Sequence, residues 1–575
     1  MSTNGFVALC LIGLYTMYTI SCLIRNITVA KTIGIPVVWS PISPFNSFWI
    51  IFNKRVAPIF QRLPLGLGDW TTYNTLDWTW VDRTHGNSEV HDKHGDTFAH
   101  ATPREVEIHT RDPAVAIQVL RKQANDFPKI SHYAKILDVL GTSLVSSDGH
   151  DWTRHRKATV ATLSDRTNRL VWAEGVRQTQ QMIHHYQHTS RGLICDPVDD
   201  VRELYLHVFT SVCFGFTYDF KQPERNCIPE GHSRSYRYCL HTSLKDILIL
   251  RLVPSWAMRF PFLPQRIKNF RDAVAEMRKY LDEMISDCKD NLRGSREKTQ
   301  NDNLLSFMVK RNRDLEVETL MDNFKDDGSH ALLTESEIRG NLFTYSLGGH
   351  ESSAHTLTFA IYLLAALPEQ QAWLMEEIDE VLGGRPDWKS QDAFMDIFPR
   401  LKRCQAAMNE TLRLYPSVTV LPKCTGSKAT TLLVGSEDHR IPANANVFVN
   451  MPSIQVHQPV WGTDAMHWKP DRWIMTSDHM KDLDSEQLKA PPDGAFLPWS
   501  EGKRACPGKR FSQVGFVAAL ATLLYKHRLE VIPNVEESLE NARERIIEVV
   551  NDTYAVMTVH MHKPLSVRIG VLKRS

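Results

Sequence analysis

The stretch Trp499-Ser500-Glu501-Gly502-Lys503-Arg504-Ala505-Cys506-Pro507-Gly508 sets one cysteine between two glycines, with an arginine two residues before it. Thiolate ligation of a metal is the chemistry this arrangement suits. The run from Lys509 to Lys526, with Phe511, Val514, Phe516, Val517, Leu520, Leu523 and Leu524, has the spacing of a buried helix. Pro507 is then expected in its first turn, where a missing N–H costs nothing, and Cys506 at its N-terminus. The positive end of the helix dipole and the unpaired amides there favour thiolate over thiol. Gly502 and Gly508 allow a tight turn and close approach to a flat cofactor, and Arg504 can pair with a carboxylate. An isolated cysteine would read as an inert buried side chain; the full spacing G-x-R-x-C-x-G between a polar loop and an apolar helix favours a ligand.

Three further groups call for attention. Trp152 and Arg156 stand four apart at the start of a helical pattern, two donors on one face suited to a carboxylate, although W-x-x-x-R alone reads better as a solvated basic face. From Glu335 to Leu367 runs a long apolar helical pattern interrupted by Gly348-Gly349-His350-Glu351-Ser352-Ser353. Each mid-helix glycine costs about 1 kcal/mol relative to alanine. Ligand approach or a water opening the hydrogen-bond ladder explains the pair as well as tight helix packing does. In Glu410-Thr411-Leu412-Arg413-Leu414-Tyr415-Pro416, Glu410 and Arg413 share a helix face, a spacing also found in Glu174/Arg177 and Glu540/Arg543. Apolar neighbours, the Pro416 stop and the downstream Trp468-Lys469-Pro470-Asp471-Arg472-Trp473 set the first pair apart, with Arg472 able to complete a buried Glu–Arg–Arg network.

The elements that must position these residues belong to one large domain. The chain has 575 residues, with no low-complexity linker after about residue 60 and no internal repeat. Its 67 basic and 66 acidic residues nearly cancel, so no bulk field marks a nucleic-acid binder. Ten cysteines lack C-x-x-C spacing, which excludes a zinc ribbon or disulfide framework. Phe6 to Ile24 is an uncharged stretch, about 28 Å long as a helix, and reads as a transmembrane span rather than a cleaved signal. Arg25 and Lys31 follow it, which leaves the bulk of the chain cytosolic. Gly34, Pro36, Pro41 and Pro44 then suggest a stiff, non-helical connector.

The cysteine loop resembles the haem-binding loop F-x-x-G-x-R-x-C-x-G of the cytochrome P-450 family, with Trp499 in place of phenylalanine. W-x-x-x-R, G-G-x-E-S, E-x-x-R with P-D-R-W, and the cysteine loop follow in the family's order, and the H-E-S-S motif and hinge look like those of fungal members. The resemblance implies a mainly α fold, the cytochrome P-450 fold: a helical haem domain with small β-sheets over residues 61–575, preceded by a hinge at 25–60 and an N-terminal transmembrane helix within 1–24. It implies Cys506 as the metal ligand of heme b, with Arg504, Trp152, Arg156, Gly349, Trp499 and Gly508 as the other cofactor-binding residues, the Trp152/Arg156 pair and Arg504 reaching propionates. Glu351 and Ser352 become the acid–alcohol pair that delivers protons to bound oxygen, with serine where threonine is usual.

The activity so implied is a monooxygenase of the endoplasmic-reticulum membrane. NADPH would supply electrons through a cytochrome P-450 reductase, cytochrome b5 being a second candidate donor, since no flavin or nicotinamide fingerprint is present. Its substrate would be a lipophilic small molecule such as a terpenoid or polyketide. The resemblance places the pocket near Ile130 to Leu144, Phe214 to Leu250, Phe343 to Gly348, Val418 to Leu421 and Thr553 to Val556. Oxidative coupling, isomerisation or dehydration without oxygen insertion, and haem-thiolate binding without turnover, stand as alternatives.

Overall fold

The apolar periodicities condense into a helical body built around one helix, Glu335–Ala366. The computed structural model describes residues 3–84, 89–123, 125–130, 134–221, 228–247, 249–254, 256–260, 262–294, 303–320, 333–475, 482–555 and 558–574. Parts of the expected pocket, residues 131–133, 222–227, 248 and 556, lie outside them.

Thr334 caps the central helix with a capping box: its hydroxyl accepts from Glu337 N–H, and the Glu337 carboxylate accepts from Thr334 N–H at 2.8 Å. Every residue from Ser353 to Ala366 is buried. A helix apolar on all sides belongs inside, and this one is enclosed by Pro197–Phe214, Leu539–Asn551, Lys402–Leu414 and Lys509–Tyr525. The helix is continuous through Gly348 and Gly349, so the interruption expected there is one of composition and not of backbone.

The sheets are small. A five-stranded mixed sheet has the order Val37–Trp39, Thr97–Ala101, Val106–Thr110, Asn446–Val449, Leu421–Cys424. A three-stranded antiparallel sheet joins His527–Ile532, Arg568–Lys573 and Leu193–Ile194.

The stretch from Gly34 to Pro44 is non-helical, as its prolines suggest, but residues 25–60 as a whole are not a free linker. The N-terminal helix runs Thr3–Lys31, seven residues past Ile24, and Asn26 Nδ2 donates to Thr102 O at 2.8 Å. Val37–Trp39 then pairs in parallel with Thr97–Ala101, and Ser47–Phe60 is a second helix, with Pro58 inside it. The prolines punctuate these elements, and burial of Ala30, Ile33, Ile35 and Val38 holds the segment against the domain.

Candidate functional site

Cys506 lies in a loop closed by two hydrogen bonds, Cys506 N–H to Trp499 O (2.8 Å) and Ala505 N–H to Gly502 O (3.1 Å). The helix that follows is Lys509–Tyr525 with Gly508 as its N-cap. Pro507 therefore precedes the helix instead of occupying its first turn, and Cys506 sits two residues before the cap. Its thiol pKa is raised, contrary to the expectation: burial is the larger influence, and the Gly508 N–H and the Arg156 charge, which favour thiolate, offset it only in part. The residue is nevertheless exposed, so a ligand can reach its thiol.

The two flanking glycines have different causes. Gly502 has φ +72°, and a Cβ there would stand 2.4 Å from Leu120 O, so close packing on protein backbone demands glycine. Gly508 has an ordinary φ of −82° and room for a side chain; what it offers the thiol is its N–H. Trp499 spends its indole N–H on Ser512 Oγ at 3.1 Å.

Trp152 and Arg156 belong to the helix Gly149–Val160, capped by Asp148. The Trp152 ring lies between two guanidinium groups, Arg504 at 4.7 Å and Arg156 at 5.4 Å from its centre. The pair is thus joined to the cysteine loop and is no solvated face. Asp148 Oδ1 accepts from Arg504, and its Oδ2 accepts from Lys129 N–H at 3.1 Å. Around this carboxylate stand residues that the sequence reading missed. Lys423, on the strand Leu421–Cys424, is buried, and burial followed by the Arg504 charge pushes its pKa down to about 8. Lys129 is pushed down to about 7 by the same two causes, while its ammonium donates to Leu144 O and Val145 O at 2.8 and 2.7 Å. Arg504 Nη1 is buried without a partner. Lys129, Lys423 and Arg504 thus share one carboxylate, with Arg156 beside them on Trp152, a surplus of positive charge that suits the two propionates of the expected haem. A lysine directly after Pro422 in an apolar strand was the available signal.

On the central helix, Gly349 is packed against Phe209. Its Cβ would stand 2.4 Å from Phe209 Cδ2, so helix packing explains that glycine and its expected cofactor contact is withdrawn. Gly348 is the one with open space beside it. Ser352 Oγ donates to Gly348 O at 2.7 Å, and the Ser352 carbonyl accepts from Ser417 Oγ at 3.2 Å. Glu351 instead binds Arg202 Nη2 at 2.9 Å, with His350 Nε2 3.7 Å away. Burial opposes its ionisation, yet Arg202, His350 and His560 hold its pKa below the usual carboxylate value.

The expected Glu–Arg–Arg network is present. Glu410 and Arg413 are each 0% exposed and meet through two 2.8 Å hydrogen bonds. Arg472 Nε and the Trp473 indole N–H each reach Glu410 at 2.9 Å. Trp473 then contacts Phe496 (4.6 Å) and Phe496 contacts Trp499 (5.9 Å), which carries the network into the cysteine loop.

Known proteins agree with this geometry. The family model "Cytochrome P450" matches residues 73–556. A cytochrome P450 monooxygenase of Arthrobotrys oligospora is 26% identical over 561 residues, 93% of each chain. One of Penicillium rubens is 28% identical over 541 residues, 90% of each chain. The phomenoic acid biosynthesis cluster cytochrome P450 monooxygenase of Leptosphaeria maculans is 24% identical over 564 residues, 90% of this chain and 91% of that one. The family's enzymes are haem-thiolate monooxygenases that act on small molecules with a reductase partner, and this chain belongs to the cytochrome P450 family.

Proposed function

We propose that this monooxygenase holds haem b through the Cys506 thiolate and inserts one atom of O2 into a lipophilic secondary metabolite, with electrons passed from NADPH by a reductase in the same membrane. The observation that carries the reading is the joining of the accessible Cys506 loop to a buried cationic cluster, Arg504 lying over Trp152 and sharing Asp148 with the surroundings of Lys129 and Lys423. When bound, haem supplies the centre at which O2 is activated and its O–O bond is cleaved.

The chain's residues do the rest. Arg156, Arg504, Lys129 and Lys423 bind carboxylates and fix the cofactor's orientation. Gly348 has open space beside it that would leave room for a ligand. Ser352, whose proton rests on Gly348 O, can pass a proton by rotating its hydroxyl. Glu351, ionised beside Arg202, relays protons from solvent to it by way of water.

The apolar helix Thr3–Lys31 supports a single-pass anchor in the endoplasmic reticulum, with the domain in the cytosol. The phomenoic acid biosynthesis cluster enzyme among the relatives supports a substrate drawn from small-molecule biosynthesis. Because Ser352 lacks threonine's methyl, oxidative coupling, isomerisation or dehydration without oxygen insertion is the second reading. Incubation with reductase, NADPH and isotopically labelled O2 separates the two: one labelled atom in the product is expected, and an unlabelled product establishes the second. Cys506→Ala is expected to abolish the red-shifted Soret band of the CO complex, and a variant that keeps the band refutes Cys506 as ligand.

A further inference from the structure

A second cluster of ligand-type side chains lies outside the site just described, in the hairpin of Thr97–Ala101 and Val106–Thr110. His100 pairs directly across from Glu107, and His109 follows two residues on, so all three side chains project from one face. Tyr73 closes that face edge-on to His100 (5.4 Å), Trp78 edge-on to His109 (5.0 Å), and Phe448 stacks on His109 (5.0 Å). The side chains of His100, Glu107 and His109 are 1%, 1% and 5% exposed.

Hydrogen bonding at the outer nitrogens decides what the inner nitrogens can be. His100 Nε2 lies 2.8 Å from Ser40 Oγ. That hydroxyl has two acceptors for its single proton, Ile42 O (2.9 Å) and Asn74 Oδ1 (3.1 Å), so it accepts from His100 and the imidazole proton sits on Nε2. His100 Nδ1 is then a lone pair, 3.1 Å from Glu107 Oε2. On the other side, His91 Nδ1 lies 3.1 Å from Gly95 O, which can only accept, so the His91 proton is there and its Nε2 accepts from Asn450 Nδ2 at 2.8 Å. The remaining Asn450 atom is a carbonyl oxygen, and it and His109 Nδ1 are both buried without a hydrogen-bond partner. A proton on Nδ1, on the side of that unpaired acceptor, leaves Nε2 as a lone pair 3.3 Å from the same Glu107 Oε2.

Three lone pairs thus converge on one point. A single proton relieves one of the two nitrogen–oxygen contacts; a cation relieves both. We propose that His100, Glu107 and His109 bind one divalent cation, and that the ion is zinc. With bonds of about 2.0–2.1 Å, a tetrahedral zinc separates its ligand atoms by about 3.3 Å, close to the spacings seen here. Ser40 is an outer partner of the kind such imidazole ligands require, and the unpaired Asn450 amide oxygen is available to His109. Glu107 Oε1 is buried without a partner and can accept from a water in the fourth position. Ser40 directly follows the strand Val37–Trp39, so the ion ties the N-terminal segment to the sheet and has a structural role.

The test uses the full-length, haem-loaded chain grown with zinc, dialysed against a chelator and analysed for metals by mass spectrometry. About one zinc per chain is expected in addition to haem iron, retained because its ligands are inaccessible. X-ray absorption should report a nitrogen and oxygen shell. His109→Ala and Glu107→Gln should each lower retained zinc by about tenfold while the haem spectrum persists, the loss typical of a removed ligand. His184 and His188, an exposed pair 3.9 Å apart, lose any ion to the chelator, so His184→Ala should change nothing. The parent protein decides the matter even if variants fail to fold. Retained divalent metal below about 0.1 per chain, or a shell containing sulfur, overturns the proposal and leaves a proton-bridged His–Glu–His network.

Discussion

At position 352 the difference between serine and threonine is one methyl, and the hydroxyl has one visible restraint, its bond to the Gly348 carbonyl at 2.7 Å. Ser352→Ala removes the group that passes the proton inward and leaves Gly348 O to water. Product formed per NADPH should fall by about tenfold, short of the ~100-fold of a positioned acid–base group because water substitutes in part. Hydrogen peroxide should rise to match, with substrate binding and haem content unchanged. Ser352→Thr should keep or tighten coupling. An unchanged ratio of product to NADPH in the alanine variant would mean that the proton travels another way.

Two elements hold the site in register, and each offers a measurement. The N-terminus of the central helix is pinned by Glu337, which accepts from Arg154 Nη1 at 2.9 Å as well as closing the Thr334 capping box. Burial opposes ionisation of Glu337, but Arg154 and the Thr334 N–H prevail and hold its pKa at about 2, against an ordinary 4.5. Because the folded pKa is the lower one, the contribution is fully present above about pH 4.5 and lost as pH falls towards 2. After allowance for partial exposure it is on the order of 1–2 kcal/mol. Melting curves between pH 6 and pH 3 should therefore converge for parent and Glu337→Gln, the parent losing more; parallel curves would refute this.

The second element is the helix Lys402–Leu414. Arg413→Ala leaves Glu410 with half its positive partners and strips the carbonyls of Gln455, Ala465 and His467 of their donor. Breaking such a buried network costs about 3–5 kcal/mol, a large part of a domain's net stability. Little haem-loaded protein should be recovered. A stable, fully loaded variant that merely turns over slowly would show that the network has a chemical role after all.

On the scale of the whole molecule, the N-terminal helix is two things in sequence. Its first part is exposed along Phe6, Leu11, Leu14 and Tyr18, whereas Asn26 and Ala30 are packed on the sheet. A truncation ending at Ile24 spares those contacts and should leave haem binding intact while membrane association drops. If the truncated protein stays firmly on membranes, the second contact is at Trp256, Phe260 and Phe262, which are 66%, 53% and 95% exposed. The preceding Ile247 and Ile249 are buried, so the contact is narrower than an apolar run from Leu244 would suggest. Trp256→Ser with Phe262→Ser in the truncated chain should then release it.

By itself the sequence determined the kind of protein: residue spacing along single elements was enough for the cysteine loop, the Glu410–Arg413 pair, the long central helix and the apolar N-terminal run. Those signals are local, written within one turn or one face, and the central helix and the helix after the cysteine loop formed within a residue of their apolar patterns, while the N-terminal helix ran on to Lys31. Tertiary structure decided whatever depended on which surface faces which. Gly348 and Gly349 are adjacent and alike in sequence, yet one meets open space and the other Phe209, because consecutive residues point about 100° apart around a helix. Glu174–Arg177 has the spacing of Glu410–Arg413 and forms its ion pair too, but only the latter is sealed, by elements arriving from 40 to 60 residues away. Lys129, Lys423 and Asp148 come from three separate segments. No spacing relates them, and burial, which turns a set of charges into a binding wall, is a property that only the folded chain possesses.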